Sequence, residues 1–321
     1  MIYIDTHSAD VFYNFGAEYY FSRHKKLDDD VFLIWRTTPT LMIGKFQNTL
    51  EEIDASYARE RGITIVRRLS GGGTIYTDMG GWQFSYITKT CGIEIEFERF
   101  IAPIVDILRS LGLNASLTGR NDITVDGKKV SGNTQYKLGE TTVHHGSLLF
   151  STDLGEMARA STPNPYKITS KAISSVRERV TNISEKLEVP MTTEEFRDVI
   201  VKRLTDGVYE ITPEDDAEIV RIAREKFADK RVIYAAVPKF EIEKELHLPG
   251  GSVTIGYTVV RGVITEAGFT GDFFAGATPE ELSSALKGCE FTPEAVTAAL
   301  APFDGRIYKV DTKDLVRGIF E

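Results

Sequence analysis

Cysteine is scarce in this sequence, and long apolar runs are missing from it. The 321 residues include two cysteines, Cys91 and Cys289. They lie far apart and have no partners at the spacing of metal ligands, which argues against a disulfide framework and a structural zinc site. No stretch approaches the roughly 18 consecutive apolar residues of a membrane helix, and the N-terminus MIYIDTHSADVF lacks the regions of a signal peptide. We therefore expect a cytoplasmic protein with no membrane partner.

Positive charge is also in the minority. The formal net charge is −9, and no run of five or more basic residues is present that could follow a phosphate backbone. We therefore expect no nucleic-acid partner. Apolar residues make up 42% of the chain, which is enough for real cores, and the length exceeds that of one typical domain. The composition indicates an ordinary globular protein with one large domain and a smaller one.

The apolar periodicity predicts an α+β fold with mainly antiparallel or mixed sheets and packed helices. Strands are predicted at 31–36 and 40–45, taken as a hairpin, at 63–69, 74–78 and 82–88, and within 115–150, with turns at Asp126-Gly127 and Leu138-Gly139-Glu140. Helices are predicted at 11–26 with Asp10 as N-cap, about 53–61, 97–111 with Gly112 as C-cap, 174–186, and 193–204 with a capping box at Thr192 and Glu195.

A turn at Pro249-Gly250-Gly251 is a plausible domain boundary. We expect residues 1–245 to form the large domain and residues 250–321 a small α+β C-terminal accessory domain. In the latter, SVTIGYTVVRGVITEAGF alternates like a small antiparallel sheet. Two helices are expected to open at Thr278-Pro279 and Thr292-Pro293, because proline suits the first helical turn.

A glycine turn is the first candidate for chemistry. The segment RRLSGGGTIYTD, residues 67–78, places three consecutive glycines between two β-rich runs, where they must serve either conformation or close approach. Unshielded backbone amides can reach phosphate or carboxylate oxygens, and the two preceding arginines supply forked donors. The combination suits an anion such as ATP. Taken alone, it equally describes a sharp β-turn flanked by surface arginines.

Two later segments add charged and polar groups. GRNDITVDGKKVSG, residues 119–132, carries Lys129 together with Asn121 and Asp122, which offer the oxygen ligands that Mg²⁺ accepts. HHGSLLF places His144 and His145 side by side in a strand, so only one of them can face a pocket. Each feature alone also admits a structural interpretation: a solvated lysine, a turn, or a hydrogen-bonded histidine.

Taken together, RRLSGGGTIYTDMGG, GRNDITVDGKKVSGN and VHHGSLLFSTDL resemble successive motifs of the lipoate–protein ligase A family, in order and in approximate spacing. The resemblance extends through IGKFQN, the Asn14-x-x-x-Glu18 stretch, SKAISSVRERVTNISE, and GDFF and LKGCEF near the C-terminus. It implies a biotin/lipoate ligase-like catalytic domain with a C-terminal domain. The implied reaction uses ATP and Mg²⁺ to form lipoyl-AMP. The lipoyl group then passes to a lysine of an acceptor domain, in a glycine-cleavage H protein or a 2-oxoacid dehydrogenase E2 subunit.

The resemblance also implies roles for individual residues. Lys129 and Asp122 are expected to be catalytic, and Asn121 and Asp122 to hold Mg²⁺, with Asp122 alternatively orienting Lys129. The apolar slot for the acyl chain is expected near Phe84, Leu148 and Phe150. Residues expected to bind ATP are Arg68, Gly73, Thr74, Ile75, Tyr76, Lys129 and Lys171. Residues expected to bind lipoate are Ser70, Gly71, Gly72, Thr77, Gly81, Lys129 and His145.

Two positions depart from the family pattern. Thr77 stands where most members have histidine, and Gly81 stands where they have asparagine, near the expected lipoyl end. The departures bear on the acyl substrate, lipoate or octanoate, more than on adenylation.

Alternative functions remain open from the sequence. An ATP-independent octanoyl or lipoyl transferase of the same fold would need an activated thiol near His145 and Ser151, where the sequence has none. A biotin–protein ligase would carry an arginine-glycine adenylation loop, which is absent here. The third alternative is a non-catalytic lipoate-binding homologue. The presence of the motif residues Arg68, Asp122 and Lys129 speaks against this alternative.

Overall fold

A computed structural model describes residues 1–90, 95–161, 178–234 and 240–320. Its strands are β1 (Ile2–Ile4), β2 (Val31–Trp35), β3 (Thr40–Ile43), β4 (Thr64–Arg67), β5 (Ile75–Thr77), β6 (Gly81–Lys89), β7 (Ala115–Thr118), β8 (Asp122–Val125), β9 (Lys128–Leu138), β10 (Thr141–Leu149), β11 (Gly207–Val208), β12 (Ile242–Leu248), β13 (Gly251–Val260) and β14 (Val263–Gly271).

The helices of the described residues lie between and after these strands. They are α1 (Val11–Arg23), α2 (Thr49–Glu52), α3 (Ala55–Glu60), α4 (Glu98–Ser110), α5 (Leu154–Ala160), α6 (Thr193–Leu204), α7 (Pro213–Ile222), α8 (Lys230–Ile233), α9 (Pro279–Leu286), α10 (Pro293–Leu300) and α11 (Thr312–Phe320). A π-helical turn, Ala223–Phe227, continues α7, and 3₁₀ turns occur at Ile183–Lys186 and Ala301–Phe303.

An eight-stranded sheet with the order β11-β1-β2-β6-β10-β9-β8-β7 forms the centre of the large domain. Its strands are antiparallel from β2 through β7, while β1 pairs in parallel with both β2 and β11. A separate three-stranded sheet, β4-β3-β5, carries the glycine turn between β4 and β5. The expected α+β class with mixed sheets is confirmed.

Helix α4 covers one face of the large sheet. Its residues Phe100, Ile101, Ile104 and Leu108 are buried, as the helical spacing predicts. The chain leaves the helix through Gly112 at φ +83°, a conformation that favours glycine. Strand alternation sends Phe84 of β6 into this same core.

Helices α1 and α7 cover part of the opposite face. Phe15 of α1 packs on Trp35 of β2 and on Phe227, with ring centroids about 5.5 Å apart. Asp10 accepts a hydrogen bond from the Phe12 amide and begins α1 as predicted. The remaining sheet surface on this side, next to α1, is where the candidate site lies.

Two predictions about secondary structure were wrong. Strands β2 and β3 do not form a hairpin, because β2 pairs with β1 and β6 while β3 pairs with β4 and β5. The predicted helix at 174–186 is not continuous in its described part, since Val180 bridges to Lys129 and a 3₁₀ turn follows. The capping box of Thr192 and Glu195 at the start of α6 is confirmed.

The C-terminal part forms a three-stranded antiparallel sheet, β12-β13-β14, covered by α9 to α11. The sheet already begins at Ile242, so the turn at Pro249-Gly250 lies inside the β12–β13 hairpin. Phe46 of the large domain packs into this second core and stacks on Phe273 at 4.3 Å. Among the described residues, no helix is long and apolar enough to cross a membrane.

Candidate active site

A cavity of about 390 Å³ lies against the open face of the large sheet, between the glycine turn and the small domain. One end holds charged groups and the other is mainly apolar. Its lining residues are Phe15, Trp35, Met42, Arg68, Gly72, Gly73, Thr74, Ile75, Gln83, Gly119, Arg120, Asn121, Asp122, Lys129, Gly132, Asn133, Thr134, His145, Gly146, Ser147, Asp272 and Phe274. All three motifs that the sequence analysis singled out therefore meet in one place.

A larger cleft of about 1100 Å³ lies on the outer side of Arg68, between α1, the π-helical turn and α9. It contains neither Lys129 nor His145. We therefore assign the chemistry to the smaller cavity, where these residues converge with the glycine turn.

A buried hydrogen-bonded relay stands behind the middle of the cavity. Glu18 of α1 bonds to Nδ1 of His145 at 2.9 Å, and Nε2 of His145 bonds to the Ser70 hydroxyl at 2.6 Å. Glu18 also accepts hydrogen bonds from the hydroxyls of Ser85 and Tyr136. The relay fixes the orientation of the His145 ring, while Ser70 lies behind that ring and does not line the cavity.

The electrostatics of the relay depend on His145. Burial alone would raise the pKa of Glu18, but the charge and hydrogen bond of His145, with the two hydroxyl donors, hold this pKa below its ordinary value. The neighbouring His144 points to the opposite face, where it stacks on Phe100 and burial lowers its pKa. The prediction that only one of the two histidines faces a pocket is confirmed.

The charged end of the cavity contains an ion pair. Lys129 Nζ lies 2.8 Å from Asp122 Oδ1 across the β8–β9 ladder, and both side chains are partly exposed to the cavity. Asn121, immediately before β8, donates to the carbonyl oxygen of Asn133 on β9. This contact is compatible with Asp122 orienting Lys129, and both roles considered for Asp122 stay predictions.

The glycine turn is held by Arg68. Its guanidinium donates to the carbonyl oxygens of Met42, Gly71 and Gly73. The side chain is buried, and burial, together with the neighbouring Arg67, lowers the pKa of Arg68 to about 9. Arg68 reaches the cavity wall, but one of its terminal nitrogens already donates to Met42 on β3 and the other to the carbonyl groups of the turn.

The last two glycines of the turn differ in what they require. Gly72 has φ +87°, and its amide donates to the carbonyl oxygen of Phe273. Gly73 lines the cavity, and a Cβ built there would meet no protein atom within 4 Å. Packing therefore does not demand glycine at position 73, which leaves close approach of a ligand to the backbone as its physical reason.

The small domain supplies part of the cavity wall. Arg120 pairs with Asp272 at 2.9 Å and lies over the ring of Phe274 at 4.9 Å. Asp272 and Phe274 both line the cavity, and neither they nor Arg120 were assigned a role from the sequence. The segment GDFF, residues 271–274, was noted only as part of the resemblance, because the sequence does not show that this segment packs against the glycine turn.

The apolar end is formed by Phe15, Trp35 and Met42, with Ile75 beside them. The expected slot of Phe84, Leu148 and Phe150 was wrong, because these side chains pack into the α4 core on the other face of the sheet. Successive residues of a strand point to opposite faces, so the cavity receives the neighbour of Phe84, which is Gln83.

Four other predicted site residues among those described do not line the cavity: Gly71, Tyr76, Thr77 and Gly81. Tyr76 packs into the small core around β3. Thr77 is buried and accepts a hydrogen bond from Gln83, and Gly81 abuts the hydroxyl of Thr152. Lys171 lies outside the described residues. The roles assigned to these residues stay predictions.

Among the described residues, no cysteine lines this cavity. Cys289 is half-buried in the small domain, does not line the cavity, and has a pKa raised by burial. Cys91 lies outside the described residues.

Comparisons with known proteins show the family of the chain. Residues 10–205 match the family model of the lipoyl protein ligase A/B catalytic domain. Residues 237–319 match that of the bacterial lipoate protein ligase C-terminus. The chain belongs to the lipoate–protein ligase family. Lipoate–protein ligase 1 of Staphylococcus aureus is 38% identical over 311 residues, 95% of each chain. The lipoate–protein ligase LplJ of Bacillus subtilis is 36% identical over 330 residues, covering 98% of this chain and all of that one.

Solved structures match the fold of this lipoate–protein ligase family member. The crystal structure of P. falciparum LipL1 in complex with lipoate superposes with a TM-score of 0.81 at 20% identity, covering 98% of this chain and 97% of the other. A lipoate–protein ligase A bound with ATP superposes with a TM-score of 0.64 at 22% identity, covering 73% of this chain and 98% of the other. At these identities the likeness concerns the fold, and the enzyme class follows from the family membership.

Proposed function

We propose that this enzyme uses ATP to convert lipoate into lipoyl-AMP and then transfers the lipoyl group to a lysine of an acceptor domain. The observation that carries the proposal is the two-ended cavity: the Lys129–Asp122 pair lies at one end and Phe15, Trp35 and Met42 at the other. A carboxylic acid with an apolar tail suits such a cavity, with its carboxylate beside the ammonium group.

In the first step, a carboxylate oxygen attacks the α-phosphorus of ATP, the mixed anhydride forms, and pyrophosphate leaves. Two anions must approach each other, so the site must offset their repulsion and stabilise charge on the phosphoryl oxygens. Lys129 is suited to both tasks because its compact charge can contact both reacting groups, and Asp122 holds it at 2.8 Å. The unshielded backbone at Gly73 is available to phosphate oxygens.

In the second step, the amine of the acceptor lysine attacks the acyl carbonyl, an amide bond forms, AMP leaves and the amine loses a proton. His145, held from behind by Glu18 and Ser70, orients the acyl group along the sheet. We assign the acceptor to a glycine-cleavage H protein or to the E2 subunit of a 2-oxoacid dehydrogenase.

Mg²⁺ is expected to enter with the nucleotide. Within the described residues, no group of three or more histidine, cysteine or acidic side chains could hold a metal. Mg²⁺ commonly binds through one or two carboxylates together with substrate phosphates, and Asp122, with the amide oxygen of Asn121 beside it, fits that donor set. Bound there, the ion would neutralise part of the phosphate charge.

The test is lipoate-dependent exchange of pyrophosphate into ATP. Purified protein is expected to catalyse exchange with lipoate and Mg²⁺, and Lys129→Ala is expected to reduce the rate by about 10²- to 10³-fold. Lys128→Ala is the matched control, because Lys128 is the adjacent lysine on β9 and does not line the cavity. The absence of exchange with lipoate, octanoate and biotin alike would overturn the proposed function. Near-normal exchange by Lys129→Ala would remove that residue from its role.

A further inference from the structure

A buried glutamine contacts the glycine turn from outside the cavity. Gln47 belongs to the segment IGKFQN, residues 43–48, which has no role in the function proposed above. It lines the larger outer cleft and not the cavity, and only 4% of the residue is exposed. Its Oε1 accepts two hydrogen bonds, from the amide of Gly44 at 2.8 Å and from the hydroxyl of Thr74 at 2.9 Å. One amide oxygen thus connects the end of β3 with the residue that precedes β5.

The hydrogen bond from Gly44 takes the place of the next pair in a strand ladder. Strands β3 and β5 pair as far as Met42 with Ile75. The same register would next place Gly44 opposite Gly73. The Gly44 amide instead donates to Gln47, so the ladder ends there. The backbone of Gly73 is thereby released from the sheet at the point where it forms the cavity wall.

The orientation of the Gln47 amide follows from its partners. A backbone N–H can only donate, so the atom of Gln47 that faces Gly44 must be the oxygen. The hydroxyl of Thr74 donates to the same oxygen, and its hydrogen is then not available to a ligand. Thr74 lines the cavity and therefore offers a ligand its backbone amide rather than its hydroxyl hydrogen.

The backbone of the turn presents donors at the place where Thr74 is held. The carbonyl oxygens of Gly71 and Gly73 accept hydrogen bonds from Arg68. By contrast, the amides of Gly73 and Thr74 have no acceptor among the described residues. Consecutive backbone amides in a turn attract an anion, and the anion that the proposed reaction brings to this wall is a phosphate group of ATP.

Resting on the proposed function, we propose that Gln47 is a positioning residue for the nucleotide, which holds Gly44 and Thr74 together and so sets the amides of the turn against the phosphate groups of ATP. Gln47 acts through Thr74, since it does not reach the cavity itself. The carboxylate of lipoate is expected beside Lys129, and its tail beside Phe15 and Trp35. None of these residues belongs to the two segments that Gln47 connects, so its loss should weaken the use of ATP and spare that of lipoate.

The first test separates this contact from the stability of the fold. Thr74→Val removes the hydroxyl and leaves the bond between Gly44 and Gln47, so the variant should fold as the wild type does. In pyrophosphate exchange with the full chain, its KM for ATP should rise about five- to tenfold, the size expected for one neutral hydrogen bond. Its KM for lipoate should stay within about twofold. Thr74→Ser keeps the hydroxyl and should restore the wild-type KM for ATP.

The role of Gln47 is tested by a double-mutant cycle. Gln47→Leu should raise the KM for ATP by a similar factor, and it should also lower the melting temperature because the buried amide of Gly44 loses its acceptor. Adding Thr74→Val to Gln47→Leu should raise the KM for ATP less than about twofold further, because both substitutions remove the same hydrogen bond. A hydroxyl of Thr74 that bound ATP by itself would give effects that multiply.

The matched control is Gln135→Leu. Gln135 is a buried glutamine on β9 that lines neither the cavity nor the outer cleft. The same substitution there should leave the KM for ATP within about twofold of the wild-type value. A rise as large as that in Gln47→Leu would show that any buried glutamine has this effect, and it would overturn the inference.

The other outcomes separate this inference from the function on which it rests. An active enzyme whose KM for ATP changes less than about twofold in Thr74→Val and in Gln47→Leu would overturn the inference alone. Equal rises in the KM for ATP and for lipoate would do the same, as would multiplying effects in the double variant. If Gln47→Leu fails to fold, the comparison of Thr74→Val with Thr74→Ser decides. No exchange by the wild type with lipoate, octanoate or biotin would overturn the proposed function, and the inference with it.

Discussion

Replacing Glu18 with glutamine removes the negative charge that organises the buried relay behind the cavity. The carboxylate accepts three hydrogen bonds in the folded protein, from His145, Ser85 and Tyr136. Glutamine preserves the shape, but one of its two terminal atoms becomes a donor that opposes an existing donor. We therefore expect Glu18→Gln to fold with a lowered free energy of unfolding and an altered orientation of the His145 ring.

The size of the loss follows from the kind of bond. Hydrogen bonds to charged groups contribute about 1.5–3 kcal/mol each. His145 and Ser85 share one carboxylate oxygen, and the hydroxyl of Tyr136 can rotate to accept from the new amide nitrogen, so the main loss is the negative charge that strengthens the contact with His145. We expect Glu18→Gln to lower the free energy of unfolding by about 2–3 kcal/mol at pH 7, measured by urea denaturation.

The pH dependence provides a second, independent readout. The folded-state pKa of Glu18 lies below its ordinary value of 4.5, so the carboxylate stabilises the fold above that pH. This stabilisation is lost as the pH falls through the folded-state pKa. The difference between wild type and Glu18→Gln should therefore be full at pH 7 and shrink below about pH 4.

The control for this experiment is Glu140→Gln, because Glu140 is exposed and lies 3.5 Å from Lys26. Such a surface pair contributes about 0–1 kcal/mol. A loss in Glu18→Gln no larger than in this control, or a difference that stays constant from pH 7 to pH 3, would refute the account of the relay.

Three further variants test local structure. The Gly73→Ala variant is expected to keep the melting temperature of the wild type, because no protein atom lies near the new methyl group. Its exchange rate should fall at least about tenfold, because that methyl group blocks the approach of phosphate. Unchanged exchange would show that no ligand approaches there. Gly72→Ala, by contrast, should destabilise the fold, because its φ of +87° strains an L-residue. The Thr192→Ala variant lacks the side-chain cap of α6, so its free energy of unfolding should be lower by about 1 kcal/mol. Its exchange rate should equal that of the wild type. A lower exchange rate would indicate that α6 contributes to the site.

Local signals in the sequence predicted much of the fold. Helix α4 was recoverable because its apolar residues repeat at helical spacing, and Asp10 and Thr192 identify helix starts because capping is decided within a few residues. Strand pairing was not recoverable in the same way. The segments of β2 and β3 adjoin in sequence but belong to different sheets, and partners such as β6, about 50 residues away, leave no local mark.

The candidate site shows the same division. Lys129, Asp122 and His145 were predicted because two of the three motifs contain them, and the structure brings them into one cavity. The acyl slot was misplaced because it was predicted from the apolar character of Phe84 alone. The alternation of side chains along β6 directs Phe84 to the other face of the sheet. Gln83 went unnoticed because a glutamine in a strand has no signature until its neighbours are known.

The contact between the small domain and the glycine turn couples ligand binding to the stability of both domains. Asp272 and Phe274 complete the cavity wall, and the carbonyl oxygen of Phe273 receives the Gly72 amide. A ligand that touches both sides binds only molecules in which the small domain is folded and seated, so its binding energy raises the resistance of both domains to unfolding. Conversely, when fewer molecules have a complete cavity wall, the measured affinity for the ligand is lower. This holds even when every residue that touches the ligand is intact.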